Sequence, residues 1–315
     1  MRRALTSAVA RRFSTTSSAA LASLPRVDHR ALLSDADIQR VNDEGAIVVR
    51  QALAQPWLEV LAEAAERNLE QPGPLCDEHA AASGTGGRFH DDQFLWHRHD
   101  ACEEYVLRSG IGALAARAMR SRTAHILYDQ LFVKEPGTAS PTPWHNDTSY
   151  WHLRGEQVCS VWLALDEVTR DRGLSYVKGS HRWNLLHRIT NFSGSDDVES
   201  KNVYPGAEDF PPVPDVDAGV ASGEYELLSW DMMPGDVLVF YSAVMHGAPG
   251  NPPNSPHRRR GYATRWCGDD IVFEDRIGTM HRGWVQAGFD NGLQSGEPIG
   301  SSPLHPNVVG AEHQA

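Results

Sequence analysis

The decapeptide TPWHNDTSYW, residues 142–151, sets His145 and Asp147 two positions apart between tryptophans and a tyrosine. An imidazole and a carboxylate at that spacing are either two ligands of one metal ion or a hydrogen-bonded pair beside a core. Spacing alone does not choose between them. The chain holds 15 His and 41 acidic residues, and His90-Asp91-Asp92 offers a second His-x-acid pair. Context favours the first pair, which follows a β-rich run and a proline turn. Residues i and i+2 of a strand project from one face, so both side chains can point into a barrel. A second histidine, His246, ends the apolar run DVLVFYSAVMHG. Two histidines and one carboxylate on one face leave three positions of an octahedral iron open, the facial arrangement of non-haem Fe(II) oxygenases.

Those open positions call for a chelating reductant. If it is 2-oxoglutarate, its distal carboxylate wants a fork-shaped cation nearby. The segment HRRRGYATRW supplies Arg258, Arg259 and Arg260 downstream of His246. Alternation places Arg259 on a face with Gly261 and Ala263, whose small side chains leave room, whereas Arg258 and Arg260 share a face with Tyr262, Thr264 and Trp266. Arg259 is the expected anchor, with Arg260 and Arg265 as the alternatives.

The elements that must position these groups come in two textures. Up to about residue 122 the pattern is mostly helical. Ser34 and Asp37 have capping-box spacing, Gly45 should stop that helix, and AIVVR is then a short strand. Pro56 opens a run in which Leu58, Leu61, Ala65 and Leu69 recur at helical spacing until Pro72-Gly73. CEEYVLRSGIGALAARAMR is helical with an interruption at Gly110. From Thr123 onward, short β-rich runs alternate with Pro, Gly and Asn/Asp turns. Helices followed by many short strands fit a mainly β jelly roll buttressed by N-terminal helices. Residues 193–221 read as a functional insertion or lid, and residues 296–315 as a surface tail.

Composition narrows the function classes. A net charge of −12 argues against sequence-independent nucleic-acid binding, and no stretch is apolar enough to span a membrane. The four cysteines, Cys76, Cys102, Cys159 and Cys267, show no CxxC and read as reduced thiols. Residues 1–27 are Arg- and Ser-rich with no acid before Asp28. That is the pattern of a mitochondrial transit peptide, with cleavage after Phe13 one candidate and the matrix the expected location. The catalytic domain is then 28–295.

In order, PTPWHNDTSYW, VWLALDEVTRDRGLSYVKGSH, PGDVLVFYSAVMHGAPGN and RRGYATRW resemble the phytanoyl-CoA dioxygenase family of Fe(II)/2-oxoglutarate oxygenases, over roughly residues 30–290. The resemblance implies a double-stranded β-helix core. It implies His145, Asp147 and His246 as iron ligands and Arg259 as the 2-oxoglutarate anchor. Trp162 falls where the family keeps an aromatic beside the cofactor, and Tyr128, Gln130 and Lys134 are looser pocket candidates. The implied reaction consumes O2 and 2-oxoglutarate, releases succinate and CO2, and hydroxylates an unactivated C–H bond of a small metabolite or an acyl-CoA. Two departures touch the anchor: PPNSP lengthens the gap before the arginines, and Ala248 stands where some relatives carry a serine. The alternatives are a jelly-roll metal enzyme that does not use 2-oxoglutarate and a non-catalytic ligand-binding jelly roll.

Other residues have plainer readings. His90 and Asp92 suit substrate contact or helix capping, His97 and His99 solvated or local hydrogen bonding, and His152 a structural or exposed role. Tyr150 and Trp151 are packing residues that could line the channel, and His181 is a turn residue.

Overall fold

The computed structural model describes residues 16–79, 87–189, 210–252, 255–276 and 278–309. In chain order, α1 (Ser18–Ala22), α2 (His29–Leu32), α3 (Asp35–Glu44), β1 (Ala46–Val49), α4 (Gln55–Glu70), β2 (Asp77–His79), β3 (Phe89–Gln93), α5 (Asp100–Arg108) and α6 (Ile111–Met119) come first. The strand-rich half holds β4 (His125–Lys134), β5 (Thr142–His145), β6 (Leu153–Arg154), β7 (Val158–Ala164), β8 (Ser175–Val177), α7 (Val216–Ser222), β9 (Leu227–Ser229), β10 (Val237–Tyr241), β11 (His246–Ala248), β12 (Arg259–Cys267), β13 (Val272–Phe273) and α8 (His281–Gln286).

Local chemistry explains the helix ends. The Ser34 hydroxyl accepts from the Asp37 amide at 3.2 Å while Asp37 accepts from the Ser34 amide at 3.0 Å. Such a box stabilises a helix start by about 1 kcal/mol. Gly45 ends α3 at φ +95°, a left-handed conformation that costs glycine nothing. Gly110, at φ +88°, separates α5 from α6.

The strands form a seven-stranded sheet ordered β1-β10-β7-β12-β4-β3-β2, a four-stranded sheet ordered β5-β11-β8-β9, and the small pair β13-β6. All named pairings are antiparallel. This is the expected mainly β jelly roll, with N-terminal helices as buttress. Alternation assigns the two faces of the large sheet. Val161 and Leu163 of β7, and Tyr262 and Trp266 of β12, join Trp57, Leu61, Tyr105 and Leu114 of the helices in the largest apolar cluster. Trp162 and Ala164, with Ala263, Tyr176 and Phe240, form a second cluster on the inner face. The helices therefore seal one face and leave the other for a site.

Residues on both sides of the expected 28–295 domain pack against it. The stretch 18–27 packs on the domain: Leu21 and Val27 are buried, and the Pro25 carbonyl accepts from Trp57 Nε1 at 2.6 Å. A presequence ending at residue 27 would remove those contacts, whereas cleavage near Phe13 would keep them. Nor is the chain beyond residue 296 a surface tail as far as residue 309. Ile299, Leu304, His305 and Val308 are buried, and His125 bridges to Asn307. Most of the expected lid lies outside the described residues; at its end Asp215 caps α7 by accepting from the Ala218 amide at 3.0 Å. The four cysteines are free. No described helix is long and apolar enough to cross a membrane.

Candidate active site

β5 and β11 are neighbours in the smaller sheet, and their register sets His145 directly opposite His246. The two imidazole centroids are 4.2 Å apart. Of the closely spaced pair His145 and Asp147, only His145 lies on a strand. Asp147 begins the 3-10 turn Asp147–Tyr150, so the expected i, i+2 strand geometry does not hold for the pair. The turn brings the carboxylate round instead, held where Thr148 reaches Ser242 through its backbone amide at 3.2 Å and its hydroxyl at 3.0 Å. The result is convergent: Asp147 Oδ1 lies 3.6 Å from His145 Nε2 and 3.9 Å from His246 Nε2.

Hydrogen bonds behind the triad orient each donor. His145 Nδ1 lies 2.8 Å from the Pro143 carbonyl and His246 Nδ1 3.0 Å from the Val244 carbonyl. A carbonyl only accepts, so each Nδ1 carries the proton and each Nε2 keeps its lone pair for the centre. Ser160 donates to Asp147 Oδ2 at 3.1 Å, which turns Oδ1 inward. Burial, helped by the neighbouring His145, lowers the His246 imidazole to about 4, so it is a neutral ligand at ordinary pH. Burial alone would raise Asp147, but the neighbouring His145, His246 and Arg265 hold it well below the usual carboxylate range. A buried set of two neutral nitrogens and one carboxylate oxygen suits a divalent iron.

The triad opens into a cavity of about 360 Å³ between the sheets. Arg259, Trp162, Tyr128 and Gln130 line it, as do Arg265, His79 and Asp91. The arginines of β12, and Arg258 just before it, separate by side. Arg258 pairs with Glu66 and Glu135, and Arg260 with Glu66 and Asp166, on the outer side. Arg259 and Arg265 turn inward with no ion-pair partner among the described residues. Arg259 donates to the Arg172 carbonyl, and burial with the Arg172 charge lowers it only to about 10, so it stays a cation. An added Cβ on Gly261 would lie 2.0 Å from Trp162 Cζ2, so glycine is what lets the indole lie across β12.

Residues 41–261 match the family model described as Phytanoyl-CoA dioxygenase. The chain belongs to the phytanoyl-CoA dioxygenase family. A curated relative, the methylphosphonate hydroxylase of Gimesia maris, is 25% identical over 231 residues, covering 72% of this chain and 78% of its own. Among solved structures, the non-heme alpha-ketoglutarate-dependent carbocyclase SnoK from nogalamycin biosynthesis aligns with TM-score 0.67 at 20% identity, over 90% of this chain and 99% of its own. EctD from S. alaskensis, solved with 2-oxoglutarate and 5-hydroxyectoine, aligns with TM-score 0.61 at 16% identity, over 81% and 86%. At those identities the structures speak for the fold.

Within this family member, several side chains sit elsewhere than expected. Lys134 is buried outside the cavity lining. Its amine reaches the Ser140 carbonyl at 2.7 Å, the Thr142 hydroxyl at 3.3 Å and the Pro249 carbonyl at 3.4 Å, and burial beside Arg259 lowers it to about 5. His90 and Asp92 neither cap a helix nor face the cavity. His90 bonds Asn68 at 3.0 Å and Glu78 at 2.8 Å, and Asp92 accepts from the Gly73 amide at 2.6 Å. The His97 ring packs tilted against Trp96, centroids 3.9 Å apart; His99 and His152 take the hydrogen-bonded and structural alternatives, buried with Asn68 at 3.4 Å and Asn291 at 3.5 Å as partners. His181 stacks on Tyr241 and bonds the Asn42 carbonyl at 3.0 Å. Tyr150 and Trp151 do line the cavity.

His90, Cys76 and Glu78 also lie close enough to share a metal. Their chemistry argues otherwise: burial and acidic neighbours push the Cys76 thiol up to about 12, and Arg88 already pairs with Glu78. A protonated thiol beside an occupied carboxylate is a poor ligand set.

Sequence reading passed over His79 and Asp91. Asp91 Oδ2 lies 2.9 Å from His79 Nε2, while Gln130 donates to Asp91 Oδ1 at 2.8 Å. Burial disfavours the imidazolium, but the Asp91 carboxylate outweighs it and raises the His79 pKa. The signal was strand alternation. FHDDQ is β3, and on a strand Asp91 and Gln93 share the face opposite His90 and Asp92.

Proposed function

We propose that this chain is an Fe(II)- and 2-oxoglutarate-dependent dioxygenase that hydroxylates a C–H bond of a small metabolite. One observation carries the reading: the two Nε2 atoms and Asp147 Oδ1 converge in the same cavity as the inward-facing Arg259. Iron bound there would supply the chemistry that couples O2 reduction and 2-oxoglutarate decarboxylation, to succinate and CO2, with insertion of an oxygen atom into the substrate C–H bond.

The protein's part is positional. His145 and His246 present fixed Nε2 lone pairs, and Ser160 keeps Asp147 Oδ1 turned toward the centre. Arg259 offers its guanidinium to the distal carboxylate of 2-oxoglutarate, a fork-shaped match worth far more in this buried site than in water. Trp162, Leu174, Phe240, Tyr150 and Met280 supply apolar walls that exclude water from the reacting atoms. No side-chain general base is needed.

Two observations support a small metabolite over an acyl-CoA. A cavity of about 360 Å³ is near the low end for ligand pockets, and it must house the co-substrate as well. The Gimesia maris relative is named for a one-carbon phosphonate. The test is a product assay with Fe(II), 2-oxoglutarate and a panel of small acids, alcohols and amines. A substrate should yield hydroxylated product and succinate in equal amounts, and Asp147→Ala should yield neither. Succinate production that survives Asp147→Ala would sink the reading.

A further inference from the structure

Arg265 is not used by the mechanism above, yet it is one of the most unusual groups in the cavity. Its side chain is buried within the fold and lines the same space as the triad. Among the described residues its Nε has no hydrogen-bond partner, and its terminal nitrogens reach only the Ala263 carbonyl, at 3.4 Å. A guanidinium left this way in a protein interior is costly. By contrast, outward Arg260 of the same strand and Arg258 just before it each have two carboxylates. Arg265 makes cation–π contacts: its Cζ lies 4.7 Å from the Tyr128 centroid and 5.6 Å from that of Phe132. Such contacts hold the guanidinium without using its hydrogen-bond donors.

Position separates it from Arg259. The two residues share a strand face but are six positions apart, roughly 20 Å along the backbone. Arg259 pairs in register with Lys134 of β4, at one end of β12. Arg265 pairs with Ser160 of β7, the residue whose hydroxyl holds Asp147, and so belongs to the metal end.

Formal charges point the same way. Iron with Asp147 and two neutral imidazoles carries one positive charge, and Arg259 adds another; the two carboxylates of 2-oxoglutarate cancel both. Asp91 is already engaged by His79 and Gln130. Metal, ligands and co-substrate thus balance without Arg265.

We infer that Arg265 is the docking point for an oxyanionic group, a carboxylate or phosphonate, on the primary substrate. This rests on the iron/2-oxoglutarate reading of the same cavity and names the substrate class it serves. Binding that group satisfies the open edges of the guanidinium with charge-assisted hydrogen bonds, so the loaded site discriminates against neutral isosteres. Arg265 acts as a binding and specificity residue.

The test uses the full chain under nitrogen with Mn(II) in place of iron, so that binding is read without turnover. Calorimetry first gives the 2-oxoglutarate affinity of wild type, Arg259→Gln, Arg265→Gln and Arg265→Lys. Methylphosphonate, propionate and the neutral propanamide are then titrated into each protein saturated with Mn(II) and 2-oxoglutarate. The expected result is that at least one oxyanion binds wild type about tenfold or more tighter than the amide, by charge-assisted hydrogen bonding. Arg265→Gln should abolish that preference and Arg265→Lys should retain part of it. Both should keep 2-oxoglutarate affinity within about threefold of wild type, whereas Arg259→Gln should lose it. Which of the two anions prefers the site separates a carboxylate from a phosphonate substrate. Melting temperatures of the two Arg265 variants, compared with wild type, show that each is folded.

Three results would overturn the assignment. One is loss of 2-oxoglutarate in Arg265→Gln comparable to Arg259→Gln, which would give Arg265 to the co-substrate. Another is oxyanion binding that is absent from wild type or indifferent to Arg265. The last is wild type that takes up no 2-oxoglutarate in the presence of Mn(II), which would remove the underlying site reading and this assignment with it.

Discussion

The two faces of strand β12 obey opposite rules. On the outer face, Tyr262 and Trp266 pack against the helices, and Arg258 and Arg260 are neutralised by acids from the helix α4 and neighbouring loops. On the inner face, Gly261 and Ala263 leave space, and Arg259 and Arg265 stand buried without a carboxylate partner among the described residues. The outer face is complete in itself. The inner face carries charges that make sense only with something bound, which is how a stable scaffold holds a site that is costly by itself.

Substitutions can break this contrast, and the largest effect should come from the inner side. Asp147→Ala removes the one anionic ligand, so iron-dependent succinate formation should fall by a factor of about a thousand or more while the fold survives. Residual iron binding with normal turnover would contradict the assignment. On the outer side, Leu163→Ala empties a fully buried position between sheet and helices. It should cost about 3 kcal/mol in denaturant unfolding and leave the affinity of the folded protein for 2-oxoglutarate unchanged.

The paired and unpaired arginines sharpen the contrast further. Arg259→Gln should weaken 2-oxoglutarate by roughly 10- to 100-fold, the value of a charged hydrogen bond, with little change in stability. Arg260→Gln should do the reverse, costing about 1 kcal/mol of stability with 2-oxoglutarate affinity intact. Identical behaviour of the two variants would erase the distinction between the faces.

The smallest effect concerns pH in the metal-free protein. His99, His246 and His305 are lowered to about 4, mainly by burial. In the unfolded chain they titrate near ~6.5, so between about 4 and 6.5 the unfolded state binds more protons and stability rises with pH. Asp129, pushed up to about 7 by burial, opposes this by releasing its proton on unfolding. Three histidines against one aspartate should leave a net rise, read as a higher melting temperature at pH 6.5 than at pH 4.5. A flat or inverted profile would show that these imidazoles are charged in the fold.

How much of this was legible depended on whether the local pattern carried the information. The helical run after Pro56 and the alternation in RRRGYATRW translate directly into α4 and the two faces of β12, because periodicity is a local property. His145, Asp147 and His246 could be picked out by type and order, yet the 3-10 turn that delivers Asp147 could not, since its anchor is Ser242 in another segment. FHDDQ hid Asp91 because charged residues seldom mark a strand; all five are buried here only through pairing with β2 and β4. The stretch from 299 to 308 read as a tail because its polar sequence conceals a few apolar anchors that dock on distant parts of the fold.

The most direct test of the central claim is anaerobic titration of the purified protein with Fe(II) and then 2-oxoglutarate, followed by visible absorption. The account predicts a weak metal-to-ligand charge-transfer band that grows with 2-oxoglutarate and is absent from His145→Ala. Fe(II) bound at the triad with no band on adding 2-oxoglutarate would contradict it.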